Sequence, residues 1–161
     1  MTTFRIGYGY DVHQFKKGRE LWIGGILIPH DRGLDGHSDA DVLLHAICDA
    51  LLGAANLRDI GYHFPPSDAT LAGVDSKRLL RQTIQLVRNE GYELGNIDAT
   101  ICAEAPKMNP HIPAMQQVIA EVMGVATNQI SIKATTTERL GFVGKEEGLA
   151  SHAVALLTKE V

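Results

Sequence analysis

Strand-like and helix-like segments alternate along this chain of 161 residues, and a hairpin near its start restricts how they can assemble. Two apolar triplets, Leu21–Ile23 and Ile26–Ile28, flank the dipeptide Gly24-Gly25. Because both glycines can adopt positive φ, the pattern predicts a tight antiparallel turn. A hairpin here excludes a pure βαβ repeat. We therefore expect an α+β fold, a mixed α/β sandwich in which helices cover one face of a sheet.

The spacing of apolar residues predicts the other elements. We expect helices over 38–55, 75–89 and 113–122, and strands over 4–13, 96–103 and 130–137. Ser38 followed by Asp41 has the spacing of a capping box, which places the first helix start at Ser38. Residues 149–158 are apolar and compatible with either a strand or a helix. A chain this short lacks a second helical layer, so we expect self-association to cover the other sheet face.

Length and composition limit the class of protein. The length fits one domain, residues 1–161. With 15 basic and 19 acidic residues, a net charge of −4 and 6% aromatic residues, a nucleic-acid partner is not expected. The widely spaced Cys48 and Cys102 disfavour a disulfide scaffold or a thiolate zinc site. The sequence contains neither an apolar leader nor a long apolar run, so we expect a soluble cytoplasmic protein without a membrane partner.

The triplet Asp11-Val12-His13 is the sharpest chemical feature. In a strand, Asp11 and His13 project to the same side. One helical stripe is predicted to carry Asp41, His45 and Asp49. Two imidazoles and a carboxylate suit zinc with one open position, so Asp11, His13 and His45 form our metal hypothesis, with Asp49 as a candidate to orient His45. The alternative is a surface Asp–His pair beside a solvated helix face.

Four further segments have the composition of ligand loops. His37-Ser38, at the predicted helix start, suits an anion. Residues 59–68 are polar and interrupted by prolines, as in a surface loop or lid. Residues 105–110 connect a strand to a helix and carry one lysine, and residues 135–138 add three hydroxyls and a carboxylate suited to a phosphate and Mg²⁺. Caps, loops and β propensity are the simpler interpretations. The sequence has no Walker, nucleophile-elbow or dinucleotide motif.

Together these segments resemble one family, the 2-C-methyl-D-erythritol 2,4-cyclodiphosphate synthases of non-mevalonate isoprenoid biosynthesis. The matching stretches occur in the same order and span nearly the whole chain. They are residues 5–13, 37–45, 49–55, 59–61, 105–108, 133–138 and 140–142. The resemblance implies a homotrimer whose sheets pack around the threefold axis, with helices outside and active sites between neighbouring subunits.

The resemblance also implies a metal-dependent lyase. Its substrate would be 4-diphosphocytidyl-2-C-methyl-D-erythritol 2-phosphate, and its products the cyclic diphosphate and CMP. Zinc would be held by Asp11, His13 and His45. A second divalent ion, Mg²⁺ or Mn²⁺, would be held by Glu138 and the substrate diphosphate.

The resemblance assigns substrate contacts to residues throughout the chain. His37 and Thr136 would be catalytic, stabilising charge in the transition state. Residues 103–109 would bind cytosine, Asp59 and Gly61 the ribose, and residues 64–68 would cover the methylerythritol. The implied substrate-binding residues are Asp11, His13, His37, Ser38, Asp59, Gly61, Phe64, Asp68, Ala103, Pro106, Lys107, Met108, Asn109, Thr135, Thr136, Thr137, Glu138, Phe142 and Lys145.

Two positions depart from the family pattern. Lys145 stands where many members have arginine, which weakens any inference about an isoprenoid diphosphate in the central cavity of the trimer. Pro66 stands where an acidic residue is expected.

Two other functions stay open. One is a zinc hydrolase, which would need a general base and water as a reactant. A non-catalytic trimeric module with structural zinc would need a fourth protein ligand.

Overall fold

The computed structural model describes residues 1–160. Within them the chain forms seven strands: β1 (Thr2–Lys17), β2 (Leu21–Ile23), β3 (Ile26–Ile28), β4 (Arg32–Leu34), β5 (Glu93–Cys102), β6 (Ile130–Thr135) and β7 (Gly148–Glu160). The same range contains the helices α1 (Val42–Ala54), α2 (Ile60–His63), α3 (Ser76–Asn89), α4 (Ile112–Met123) and α5 (Gly141–Gly144). Short 3₁₀ turns lie at Ala69–Leu71, Asn109–His111 and Thr127–Gln129. In this part of the chain, no helix is long and apolar enough to cross a bilayer.

Five strands form one mixed sheet in the order β4-β1-β7-β5-β6. All neighbours pair antiparallel except β5 and β6, which are parallel. The segment left undecided, residues 149–158, belongs to the central strand β7. Strands β2 and β3 form the separate hairpin, and Gly24 and Gly25 both adopt positive φ, of 63° and 78°. The expected α+β architecture and the hairpin are therefore confirmed.

Helix α1 packs directly on β1 because β1 presents glycines to it. A Cβ atom at Gly7 would lie 1.9 Å from the Ala50 carbonyl oxygen, and one at Gly9 would lie 1.9 Å from that of Ala46. The opposite side of α1 contacts α3.

Ten of the thirteen residues of α1 are buried, and the other three are His45, Asp49 and Gly53. The predicted stripe is therefore correct for His45 and Asp49 but narrow, and it is wrong for Asp41, which is fully buried. The burial of the helix places α1 at the centre of the core.

The start of α1 also differs from the prediction. The helix begins at Val42, because Ala40 adopts a left-handed φ of 58° and Asp41, not Ser38, is the N-cap. The fully buried Asp41 carboxylate accepts hydrogen bonds from the Leu44 amide at 3.0 Å and from the Gly24 and Gly25 amides at 2.9 and 2.8 Å. Asp41 therefore ties the hairpin to α1 and does not share a stripe with His45. His37 and Ser38 lie in a loop before the helix, not at its N-terminus.

The face of β1 that points away from α1 carries large apolar side chains. Phe4, Ile6, Tyr8, Tyr10 and Val12 are 42–73% exposed, in alternation with the buried glycines. Helices therefore cover one face of the sheet only. In the single chain, a contiguous apolar surface of this kind is left in contact with solvent.

Candidate active site

Asp11, His13 and His45 come together as the sequence predicts. Asp11 and His13 project from β1, and His45 lies one turn into α1. Asp11 Oδ2 is 3.1 Å from His13 Nε2 and 3.1 Å from His45 Nδ1. Because α1 contacts β1 directly, a strand and a separate helix place these three groups side by side.

The electrostatics of the group couple the carboxylate to the imidazoles. Burial raises the pKa of Asp11, but hydrogen bonds from His13 and His45 outweigh it and hold that pKa below its ordinary value. Burial lowers the pKa of His45, but the hydrogen bond and charge of Asp11 outweigh it and raise that pKa above its ordinary value. The cluster thus favours a charged carboxylate, the form that binds a cation.

The outer nitrogen of each imidazole has its own partner. His13 Nδ1 lies 2.7 Å from the Asp35 carbonyl oxygen, and His45 Nε2 lies 2.8 Å from Ser76 Oγ. Asp49, our candidate to orient His45, does not do so, because its carboxylate accepts the Ile60 amide at 2.7 Å. Sequence reasoning missed Ser76, which follows the N-cap of α3 and is 31 residues from His45.

The donor set fits a metal ion. One nitrogen or oxygen atom from each of Asp11, His13 and His45 lies within 4.8 Å of the others, and no other such group of three occurs among the described residues. Two neutral imidazoles and one carboxylate are the donors that zinc accepts, and three protein ligands leave a position open for a ligand oxygen. The site could therefore bind a metal ion as a catalytic centre does.

The three residues open into a cavity of about 190 Å³. Its other lining residues are His37, Ser38, Ile60, Gly61, Phe64, Pro66, Leu71, Val74 and Leu79. Of the predicted substrate contacts, His37, Ser38, Gly61 and Phe64 thus share this cavity with the metal group. Asp59 and Asp68 do not line it. Asp59 precedes α2, whereas Asp68 caps a 3₁₀ turn through Thr70 and places its carbonyl oxygen 3.4 Å from His37 Nε2.

A second cavity, of about 390 Å³, lies where β5 and β6 end. It is lined by Ala103, Glu104, Pro106, Lys107, Met108, Asn109, Pro110, Ala134, Thr135 and Thr136. The predicted nucleotide segment and the first two threonines of the Thr-Thr-Thr-Glu run therefore face a common space.

Glu104 shapes the loop after β6, a role that sequence reasoning did not assign. Its Oε1 accepts the Thr137 amide at 3.0 Å and the Arg139 amide at 3.2 Å. Between these two bonds, Glu138 is exposed and adopts a left-handed φ of 52°. The available signal for Glu104 is its position just after β5, because the parallel neighbours β5 and β6 end side by side, which brings Glu104 close to the loop after β6.

Phe142 and Lys145 line a third cavity, of about 660 Å³, together with His13 and Arg32. Neither lines the cavity that holds the metal group or the one beside Thr135 and Thr136.

The metal cavity lies beside β1 and the second cavity beside β6, at the same end of these strands. Cross-strand pairing runs from Val12 to Ala150, then to Cys102 and on to Thr135. Three strand spacings separate β1 from β6, or about 14 Å. One chain therefore holds the metal group and the threonine loop well apart.

Comparison with known proteins identifies the family. Residues 4–158 match the YgbB family, so the chain belongs to that family. The 2-C-methyl-D-erythritol 2,4-cyclodiphosphate synthase of Porphyromonas gingivalis is 66% identical over 158 residues, which cover 98% of each chain. The synthase of Bacteroides fragilis is 63% identical and covers 96% of this chain and 98% of its own. The family resemblance is therefore confirmed.

Solved structures share the fold. The bifunctional IspDF of Campylobacter jejuni has a TM-score of 0.96 and 41% identity; the alignment covers 99% of this chain but 43% of that longer protein. The Plasmodium falciparum IspF in its CDP complex has a TM-score of 0.86 and 32% identity, covering 98% and 97% of the two chains.

Proposed function

We propose that this chain converts 4-diphosphocytidyl-2-C-methyl-D-erythritol 2-phosphate to 2-C-methyl-D-erythritol 2,4-cyclodiphosphate and CMP. The observation that carries the proposal is the group Asp11, His13 and His45, which forms a metal-ready donor set at the mouth of a cavity. The extensive identity to curated synthases supports the same reaction. The metal-dependent lyase is thus the function that both the chemistry and the family favour.

The reaction is an intramolecular phosphoryl transfer. An oxygen of the 2-phosphate forms a bond to the β-phosphorus, and the bond from that phosphorus to the oxygen bridging to the α-phosphate breaks. CMP leaves with the bridging oxygen. The attacking group is already an anion, so the protein needs to position the two phosphates and offset their charge, without a nucleophile of its own.

The residues of this chain divide that work. We assign zinc to Asp11, His13 and His45, and a second ion, Mg²⁺ or Mn²⁺, to Glu138 and the substrate diphosphate. Such ions supply Lewis acidity and neutralise phosphate charge. His37 stands at the metal cavity and Thr136 at the second cavity, and we assign to them the stabilisation of transition-state charge.

We place the cytidine part in the second cavity. The backbone of residues 103–109 would bind cytosine, with Lys107 beside the phosphates and Thr135 and Thr137 on the same side. The CDP complex of the Plasmodium falciparum relative supports a cytidine diphosphate group as the recognised unit. Asp59 and Gly61 would hold the ribose, and Ser38, Phe64 and Asp68 would enclose the methylerythritol part.

We propose that the active enzyme is a homotrimer with sites between subunits. The exposed apolar face of β1 supports close packing of sheets around an axis. The separation of about 14 Å between β1, which carries Asp11 and His13, and β6, which ends at Thr135, supports a site completed by a neighbour. Phe142 and Lys145 share a cavity with His13 in one chain but line neither of the two cavities above, and they would become substrate contacts in such an assembly.

We further propose that residues 1–161 form a single domain that acts in the cytoplasm. One continuous hydrophobic core through α1, β5 and β7 supports the single domain. Both cysteines are free thiols, which supports a reducing compartment.

Product analysis in H₂¹⁸O tests the function. With the substrate, Zn²⁺ and Mg²⁺ present, we expect CMP and a cyclic diphosphate that contain no ¹⁸O, because water is not a reactant. Linear phosphates that carry ¹⁸O would establish a zinc hydrolase. Absence of turnover in a zinc-loaded trimer would establish a non-catalytic module.

A further inference from the structure

We propose that Ser76 and Asp39 are positioning residues that fix the tautomer and ring orientation of His45. The His45 ring would carry its proton on Nε2 and present the lone pair of Nδ1 to the metal. The inference rests on the metal site of the proposed function and adds two residues to it.

Three hydrogen bonds connect the residues in a line. His45 Nε2 lies 2.8 Å from Ser76 Oγ, and Ser76 Oγ donates to Asp39 Oδ1 at 2.5 Å. The Ser76 amide donates to the other oxygen, Asp39 Oδ2, at 2.9 Å. Ser76 is completely buried, so water does not compete for its hydroxyl. The Asp39 carboxylate thus grips Ser76 at two points and sets the direction of its side chain.

The number of protons on each group decides the tautomer. A carboxylate only accepts, so the single hydroxyl proton of Ser76 goes to Asp39. The Ser76 oxygen can then only accept, and its donor is His45 Nε2–H. Nδ1 faces Asp11 Oδ2 at 3.1 Å. Without a cation that carboxylate also accepts from the imidazole, whereas a metal ion bound between them takes the Nδ1 lone pair and leaves the single proton on Nε2, toward Ser76.

The second imidazole has an equivalent device of different construction. His13 Nδ1 lies 2.7 Å from the Asp35 carbonyl, a group that can only accept, so His13 presents Nε2 to Asp11. Ser38 Oγ lies 3.3 Å from His45 Nε2 and already accepts the Ala40 amide at 3.1 Å. The shorter contact, from Ser76, is therefore the main acceptor for His45. A partner outside the ligand set that fixes the ring is a general feature of metal-binding histidines.

Nitrogen NMR of the zinc-loaded wild-type protein tests the proposal directly. We expect the ¹⁵N shifts of His45 to report a proton on Nε2 and a metal bond at Nδ1. A proton on Nδ1 overturns the proposal. This measurement needs no variant.

Variants then test the two positioning residues separately. In Ser76→Ala the Nε2–H group loses its acceptor, so we expect affinity for Co²⁺, measured by chelator competition, reduced about 10- to 100-fold. In Asp39→Asn the side-chain amide can donate to Ser76 Oγ and release its proton toward Nε2, where it competes with the imidazole proton, so we expect a similar loss. The d–d spectrum of bound Co²⁺ should change in both.

Thr83→Val is the matched control. Thr83 is a buried hydroxyl residue of the same helix, and its side-chain oxygen makes no hydrogen bond to His45, Ser76 or Asp39. The Co²⁺ affinity and d–d spectrum of this variant should equal those of wild type. Wild-type behaviour of a folded Ser76→Ala refutes the proposal, and if that variant does not fold, the wild-type and Asp39→Asn spectra decide. Failure of wild type to bind Co²⁺ would instead contradict the proposed metal site.

Discussion

The metal cavity and the loop after β6 are the two halves of the proposed site, and one chain fixes them to different degrees. The side chains of Asp11, His13 and His45 are only 12–24% exposed and come from the long strand β1 and the central helix α1. In contrast, Thr136 and Glu138 are exposed on a turn with left-handed backbone.

This difference indicates where the organisation of the site comes from. The metal half is built by folding, since packing and outer hydrogen bonds hold each ligand before anything binds. The loop half is shaped by two bonds from Glu104 but presents its functional groups to solvent. We therefore expect its arrangement to depend on the proposed diphosphate, second ion and neighbouring subunit.

Gly9→Ala should abolish the metal half by breaking the contact between β1 and α1. The new Cβ would lie 1.9 Å from the Ala46 carbonyl oxygen and 2.8 Å from the Ala50 amide nitrogen, both backbone atoms. We expect a loss of about 3 kcal/mol or more in the free energy of unfolding, measured with urea, and a loss of zinc binding.

Gly53→Ala is the control for that substitution. Gly53 lies in α1 with its nearest neighbour, Tyr8 O, 4.0 Å from the position of a Cβ. Alanine there should leave stability unchanged or raise it by up to about 1 kcal/mol. Equal effects of the two substitutions would contradict the close strand–helix packing as the basis of the metal half.

His45→Ala removes one ligand and leaves the fold intact. We expect turnover to fall more than about 100-fold, beyond the loss typical of a supporting residue, because two ligands hold zinc poorly. Zinc content by elemental analysis should fall in parallel, while light scattering should still report a trimer. Full activity with full zinc content would refute the assignment of this half.

Ile6→Asp tests whether the halves of one site belong to different chains. Ile6 is 73% exposed in the single chain, and in a sheet-to-sheet interface its replacement forfeits about 1.5–3 kcal/mol per copy and buries a charge. We expect light scattering to show monomers with low activity but normal zinc binding. Leu27→Asp, on the exposed hairpin, should remain trimeric. An active monomer would contradict shared sites.

Glu138→Gln probes the loop half alone. The amide keeps the shape but loses the charge that would hold a second ion, so we expect turnover about tenfold lower, or about 1.4 kcal/mol. The response to added Mg²⁺ should weaken while zinc content stays at the wild-type level. A parallel loss of zinc would show that the two halves are not separate.

Much of the fold followed from local patterns. The glycine pair predicted the hairpin, and the helix predicted over 113–122 matches α4, which has Pro113 in its first turn and Gly124 as its C-cap. The start of α1 did not follow, because its cap is chosen by a tertiary contact: Asp41 binds the hairpin amides, 16 and 17 residues earlier in the chain. Residues 149–158 stayed ambiguous because they are apolar on both faces of the sheet, so the alternation that marks a half-buried strand is missing.

The candidate site was predictable where one element carries the chemistry. Asp11 and His13 share a face of β1 by strand geometry, and the closeness of His45 was inferred from a helix that follows soon after. The partners of the imidazoles were not predictable, because Ser76 and the Asp35 carbonyl reach the site through loops. Asp49 fits the helical spacing, but α2 supplies it with a competing amide donor.

The smallest predicted effect is a pH dependence of the free energy of unfolding, which comes from His45 in the metal half and which bound zinc should abolish. In the metal-free protein the raised pKa of His45 stabilises the fold fully below about pH 6.5, its unfolded value. That stabilisation is lost as pH rises through the higher folded pKa. The lowered pKa of Asp11 gives the opposite dependence, because its contribution to stability is lost only as pH falls below about 4.

Urea unfolding with a chelator should therefore show stability declining above pH 6.5. With zinc bound, His45 carries no proton on Nδ1 and binding strengthens with pH, so the decline should vanish. An identical decline with and without zinc would mean that His45 is not a ligand.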